Sequence, residues 1–75
     1  MSLVRKHSVA IRGHRTSYSL EQPFHEVLLS IAAQKNMPLA ALIAEIDAER
    51  PRDANLSSAL RVHVLRWVQA GGRTG

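Results

Sequence analysis

Apolar and polar residues change their period at Leu20. From Arg15 to Leu20 they alternate, with Thr16, Tyr18 and Leu20 on one side and Arg15, Ser17 and Ser19 on the other; beyond it apolar residues recur at helical spacing. A switch from a period of 2 to one of 3.6 marks a short strand feeding a helix. An earlier alternating stretch places His7, Val9 and Ile11 on one side and reaches the first through Arg12, Gly13 and His14. Gly13 supplies a turn residue, so a hairpin fits, with the strand that would pair across a dimer left open.

The first helix is expected from Glu21 or Gln22 to Lys35. Glu21 suits the positive end of a helix, Pro23 falls in the first turn where its missing N–H costs little, and Phe24, Val27, Leu28 and Ile31 form the buried stripe. Asn36 tolerates the left-handed conformation that closes many helices, and Pro38 stands where another can begin. The second helix carries Leu39, Leu42, Ile43 and Ile46 at i, i+3, i+4 and i+7, and ends near Arg50, ahead of Pro51. After a polar connection, Asn55 caps a third helix. In it Leu56, Ala59, Leu60, Val64 and Trp67 make one apolar stripe, and Val62, Leu65 and Val68 a second. A helix with two apolar faces calls for two neighbours.

Composition sharpens this expectation. The chain has 75 residues, of which 45% are apolar, and no cysteine. A chain of that length buries only about 60% of its extended surface. With neither disulfides nor a zinc-ligand pattern, a core shared by two chains is the expected source of stability. No run approaches the roughly 20 apolar residues of a membrane span, and no hydrophobic signal core follows the start, so a soluble cytoplasmic protein without membrane partners is expected. The domain should occupy residues 7–69, between flexible ends at 1–6 and 70–75.

Charge is unevenly placed. The formal net charge is +4; residues 1–20 contain Arg5, Lys6, Arg12 and Arg15 without an acid, and all six carboxylates fall between Glu21 and Asp53. A basic front end attracts polyanions through counterion release.

Other chemistry is sparse. His7, His14, His25 and His63 lack the close spacing of a zinc site and read as satisfied surface or core histidines. Glu45 and Glu49, one turn apart, could collect a divalent cation, although a solvated helix face is the simpler reading and Arg50 and Arg52 stand beside them. Tyr18 shares its side with Thr16 and Leu20 and belongs to the core. Three aromatic residues are too few for a surface of stacked bases. Ser57 and Ser58 read as first-turn residues rather than nucleophiles, and no Gly-rich phosphate loop is present, so neither an enzyme nor a cofactor is expected.

Three stretches carry a family likeness: Gly13 to Glu21, Leu39 to Asp47 and Asn55 to Val62. Through them the chain resembles the ribbon-helix-helix superfamily, the Arc and MetJ type of bacterial regulators, and more closely a compact ribbon-helix-helix family of small bacterial proteins. The resemblance spans roughly residues 7–68. It implies a mainly α fold with a short β-ribbon, an intertwined homodimer with one ribbon strand from each subunit, and a ribbon inserted in the major groove of double-stranded DNA. Carried over by position, Arg15, Ser17 and Ser19 would face bases while Thr16, Tyr18 and Leu20 turn into the core; Lys6, Arg12 and Lys35 would add phosphate contacts. Arginine suits guanine well, whereas serine reads bases less decisively. One departure stands out. Where many members place Gly and then Ser or Thr to clamp a phosphate at the second helix, this chain has Asn36-Met37-Pro38, and Pro38 removes a donor.

The expected function is therefore that of a DNA-binding transcriptional regulator. An oligomeric module that keeps the fold without operator recognition is the alternative, favoured by the doubly apolar third helix. An antitoxin is a further reading, against which the short stretch after that helix speaks.

Overall fold

A computed structural model describes residues 3–72. Two strands, β1 (Val4–Ile11) and β2 (His14–Glu21), are followed by three helices, α1 (Gln22–Gln34), α2 (Leu39–Glu49) and α3 (Leu56–Gln69). The strands pair antiparallel, from Val4 opposite Glu21 to Ile11 opposite His14. β1 thus starts at Val4 rather than near His7, because Val4, Arg5 and Lys6 find partners in Glu21, Leu20 and Ser19. An alternating apolar pattern could not reveal pairing among polar residues.

The turn is two residues long, with φ of 52° at Arg12 and 81° at Gly13. Positive φ at both positions is the signature of the type I′ turn, whose twist matches that of the flanking strands. Glycine adopts it freely and arginine under mild strain. The ribbon is therefore built within a single chain. The ribbon expected from the resemblance takes one strand from each of two chains.

β2 runs into α1 without a loop. Glu21 is both last strand residue and helix N-cap, and Pro23 sits in the first turn. Asn36, at φ 54°, closes α1: its N–H reaches the Ala33 carbonyl at 3.1 Å, and that of Met37 the Ala32 carbonyl at 3.0 Å. This pair of bonds is a Schellman closure, and it releases the chain into α2 at 102° to α1. Pro38 precedes α2, whose first turn bonds to the Pro38 carbonyl. Arg50 holds the next connection, with Nε on Asp47 Oδ1 at 2.6 Å and a terminal nitrogen on the Ala54 carbonyl. Asn55 Oδ1 accepts the Ser58 N–H at 2.7 Å, a cap that stabilises α3 by about 1 kcal/mol. At the far end Gly72 and Gly71 donate to Trp67 and Val68. Residues 70–72 thus close α3 in an ordered turn, and the rest of the expected tail lies outside the described residues.

The core lies between the inner face of the hairpin and the three helices. Tyr18 and Leu20 of β2 and Ile11 of β1 meet Leu28 and Ile31 of α1, Leu42, Ile43 and Ile46 of α2, and Leu56, Leu60 and Val64 of α3. Each fully buried leucine contributes about 1.5–3 kcal/mol. One chain closes this core around its own hairpin. Thr16 was expected inside and is exposed. It belongs to the inner row, but along that row the helices bury Ile11 of β1 and Tyr18 and Leu20 of β2 and leave Thr16 outside. The second stripe of α3 also remains outside: Val62, Leu65 and Val68 are 44–53% exposed.

No single helix among the described residues is long and apolar enough to cross a membrane.

Candidate nucleic-acid interface

Strand alternation divides the hairpin into two rows. The inner row contributes Ile11, Tyr18 and Leu20 to the core. The outer row consists of cross-strand pairs: Ala10 opposite Arg15 near the tip, then Ser8 opposite Ser17, Lys6 opposite Ser19, and Val4 opposite Glu21 at the base. Ala10, Arg15, Ser8, Ser17 and Lys6 are exposed and Ser19 half-buried. The face is shallow and polar, with small side chains in the middle and a cation on each strand. Arg15, Ser17 and Ser19 do lie in one row, as the alternation predicts.

The base of this face is tied to α3. The Ser19 N–H donates to Ser57 Oγ at 2.8 Å, and Arg61 reaches the Ser19 carbonyl at 3.5 Å while its Nε donates to Glu21 Oε1 at 3.0 Å. A hydrogen bond from its own backbone and then the Arg61 contact hold the Glu21 carboxyl below the usual carboxylate range. Glu21 is therefore ionised and paired with a cation, which limits its repulsion of an approaching polyanion. Sequence reasoning gave Ser57 only a first-turn place; its bond to Ser19 spans 38 residues and leaves no local pattern.

The three cations expected at phosphates occupy different places. Lys6 is on the outer row itself. Arg12 stands at the tip and lines a shallow recess with Met37, Ala41, Glu45 and Glu49. Lys35 caps the end of α1 and bonds Glu45 Oε1 at 3.1 Å. Glu45 and Glu49 thus have cations for neighbours, and among the described residues no group of three or more potential metal ligands occurs.

Behind the face lies a stack of rings. His7 and His25 are parallel within 3° at a centroid distance of 4.0 Å, and His7 also stacks on Tyr18 at 5.2 Å. The Tyr18 hydroxyl and His25 Nε2 are 3.1 Å apart. Two parallel rings direct their lone pairs side by side rather than toward a common point, so this pair does not form a chelate. Burial, followed by the neighbouring His7, pushes the His25 pKa down, and burial pushes that of Tyr18 up. His25 is satisfied as expected, but His7 Nε2 is buried without a hydrogen-bond partner among the described residues.

A family model described as a ribbon-helix-helix domain matches residues 4–68, from the first residue of β1 almost to the end of α3. The chain belongs to the ribbon-helix-helix family. Proteins of this family are commonly DNA-binding regulators. Among solved structures, an uncharacterized protein from Bordetella pertussis Tohama I aligns with a TM-score of 0.79 and 39% identity over 97% of this ribbon-helix-helix chain. The chain spans 63% of that protein's length. No curated protein matches it.

The family match starts at Val4 and so includes β1, which the expected site left out apart from Lys6. Ser8 and Ala10 share the outer row with the expected base-facing residues. The signal that finds them is the Arg12-Gly13 turn, since a two-residue turn sets Ile11 opposite His14 and thereby Ser8 opposite Ser17.

Proposed function

We propose that this ribbon-helix-helix protein binds double-stranded DNA through the outer face of its hairpin and acts in the cytoplasm as a homodimeric transcriptional regulator. The observation that carries the reading is the division of the hairpin, whose inner row builds the core while its outer row stays exposed, polar and basic. The major groove is wide enough for a two-stranded ribbon. In this reading Arg15 gives a bidentate contact to guanine, Ser17 and Ser19 donate to or accept from base edges, and Lys6 and Arg12 meet phosphates. Lys35 reaches a phosphate by leaving Glu45, an exchange of partners for one surface ion pair. Catalysis has no part in it.

The test is fluorescence anisotropy on the duplex immediately upstream of the protein's own gene and on a scrambled duplex, at low and near-physiological salt. Specific regulation requires tight binding to the native sequence that persists at the higher salt. Weak binding to both that vanishes with salt means only a polyanion patch. An Arg15→Ala variant with unchanged affinity and sequence preference removes the ribbon-face assignment.

The exposed Leu29, Val62, Leu65 and Val68 favour a second reading, an oligomeric interaction module that keeps the fold without reading DNA. Light scattering that shows only a dimer at all protein concentrations would count against its higher-order form.

A further inference from the structure

Between the end of α2 and one side of α3 lies a cleft of about 360 Å³ that the DNA-binding reading leaves unused. We propose that it binds a small zwitterion with an aliphatic tail, the chemistry of an apolar α-amino acid, with Arg66 taking the carboxylate and Glu49 the ammonium. Such a site uses none of the residues assigned to DNA, so the failure of either reading leaves the other in place.

The walls come from two helices and the connection between them. Ala54 and Ala59 line the cleft with single methyl groups, which leaves space, and Ile46, only 6% exposed, gives it an apolar floor. Ser58, Val62 and Arg66 follow one another at intervals of four, so they form one row about 12 Å long down α3. The volume lies within the range of small-molecule sites, which combine a mainly apolar lining with a few polar groups.

Charge selects the ligand. Arg50 lines the cleft but is engaged, with Nε on Asp47 Oδ1 at 2.6 Å and a terminal nitrogen on the Ala54 carbonyl. Arg66 and Glu49 line it too, yet among the described residues neither forms an ion pair, with the other or with any other side chain. Glu49 is the last residue of α2, where the helix dipole already places negative charge, so its carboxylate gains from an added cation. The planar guanidinium of Arg66 matches a carboxylate. His63 is the remaining titratable group of the cleft; burial and then Lys35 push its pKa down, so at neutral pH its ring is uncharged and the balance stays at one free cation and one free anion. A simple carboxylate would be repelled by Glu49 and a simple amine by Arg66. A zwitterion satisfies both.

The lining selects the tail. Every apolar residue of the cleft is aliphatic, and Val62, 44% exposed, gains cover from an aliphatic chain laid beside it. Each methylene that a ligand buries there raises affinity by up to about fourfold. L-leucine should therefore bind more tightly than glycine.

The test is an amide-shift titration of the isotope-labelled full chain with L-leucine, glycine, isocaproate, which lacks the ammonium, and isoamylamine, which lacks the carboxylate. The expected result is a saturable shift with L-leucine, confined to amides around Ile46, Glu49, Ser58, Val62 and Arg66, and binding of the other three compounds weaker by about tenfold or more. Arg66→Gln and Glu49→Gln, both at exposed positions, should each weaken L-leucine by a similar factor, whereas Arg5→Gln on the hairpin should leave it unchanged. No saturable shift at millimolar L-leucine overturns the site. Isocaproate or isoamylamine binding as tightly as L-leucine overturns the zwitterion, a result read on the unaltered chain whether or not the variants fold. Saturable binding that neither Arg66→Gln nor Glu49→Gln weakens overturns the placement in this cleft.

Discussion

Ser57 Oγ accepts the backbone N–H of Ser19 at 2.8 Å, so a hydroxyl in the first turn of α3 closes part of the open edge of β2. Removing it leaves a half-buried donor without its partner, which costs about 1–2 kcal/mol. Ser57→Ala is therefore expected to lower stability by about that amount in chemical denaturation, and Ser57→Thr, which keeps the hydroxyl, by less. An unchanged midpoint in Ser57→Ala would show that water replaces the bond at no cost.

The turn offers a stabilising change. Arg12 sits at φ 52°, a conformation that asparagine tolerates far better, and Asn-Gly is the preferred pair for a type I′ turn. Arg12→Asn should raise stability by about 0.5–1 kcal/mol. If Arg12 meets a phosphate, the same variant loses DNA affinity and the salt dependence flattens by about one charge. Denaturation and anisotropy on one preparation separate the two effects.

The ring stack makes stability depend on pH. His25 has a folded-state pKa below its ordinary 6.5, first through burial and then through the adjacent His7. The unfolded chain therefore takes up the proton first, so stability is full above about 6.5 and falls as pH drops through that value toward the lower folded pKa. His63, also pushed down by burial and by Lys35, adds to the same trend. The denaturation midpoint should be lower at pH 5 than at pH 7.5, and His25→Phe should reduce the difference without abolishing it. An equal pH slope in the variant would show that His25 contributes nothing to it.

The two faces of α3 should respond differently to mutation. Leu60 is fully buried, and Leu60→Ala is expected to cost about 2–5 kcal/mol. Leu65 is 53% exposed, so Leu65→Lys should change the stability of an isolated chain by no more than about 0.5 kcal/mol. A greater loss, appearing together with a lower mass in light scattering, would show that this face is covered by another copy.

Much of this was legible in the residues. The change of period at Leu20, Asn36 closing α1 and Asn55 capping α3 are local events, each decided by a few neighbouring residues. Tyr18 could be assigned to the core from alternation alone. The missed features depend on residues distant in sequence. Ser57 meets Ser19 across 38 positions, the early start of β1 lies in polar residues that alternate without contrast, and Thr16 is exposed although its inner-row neighbours Tyr18 and Leu20 are buried. Stacking of His7 on His25 arises from register combined with the placement of α1, and spacing along the chain does not encode it.

A ribbon closed by the Arg12-Gly13 turn forms in a first-order step. A ribbon made from strands of two subunits exists only in proportion to the dimer and disappears on dilution below its dissociation constant. Here the paired strands are joined by two residues, and their effective concentration is fixed by the covalent chain. The pairing that builds the outer row is therefore a property of the single chain and independent of protein concentration.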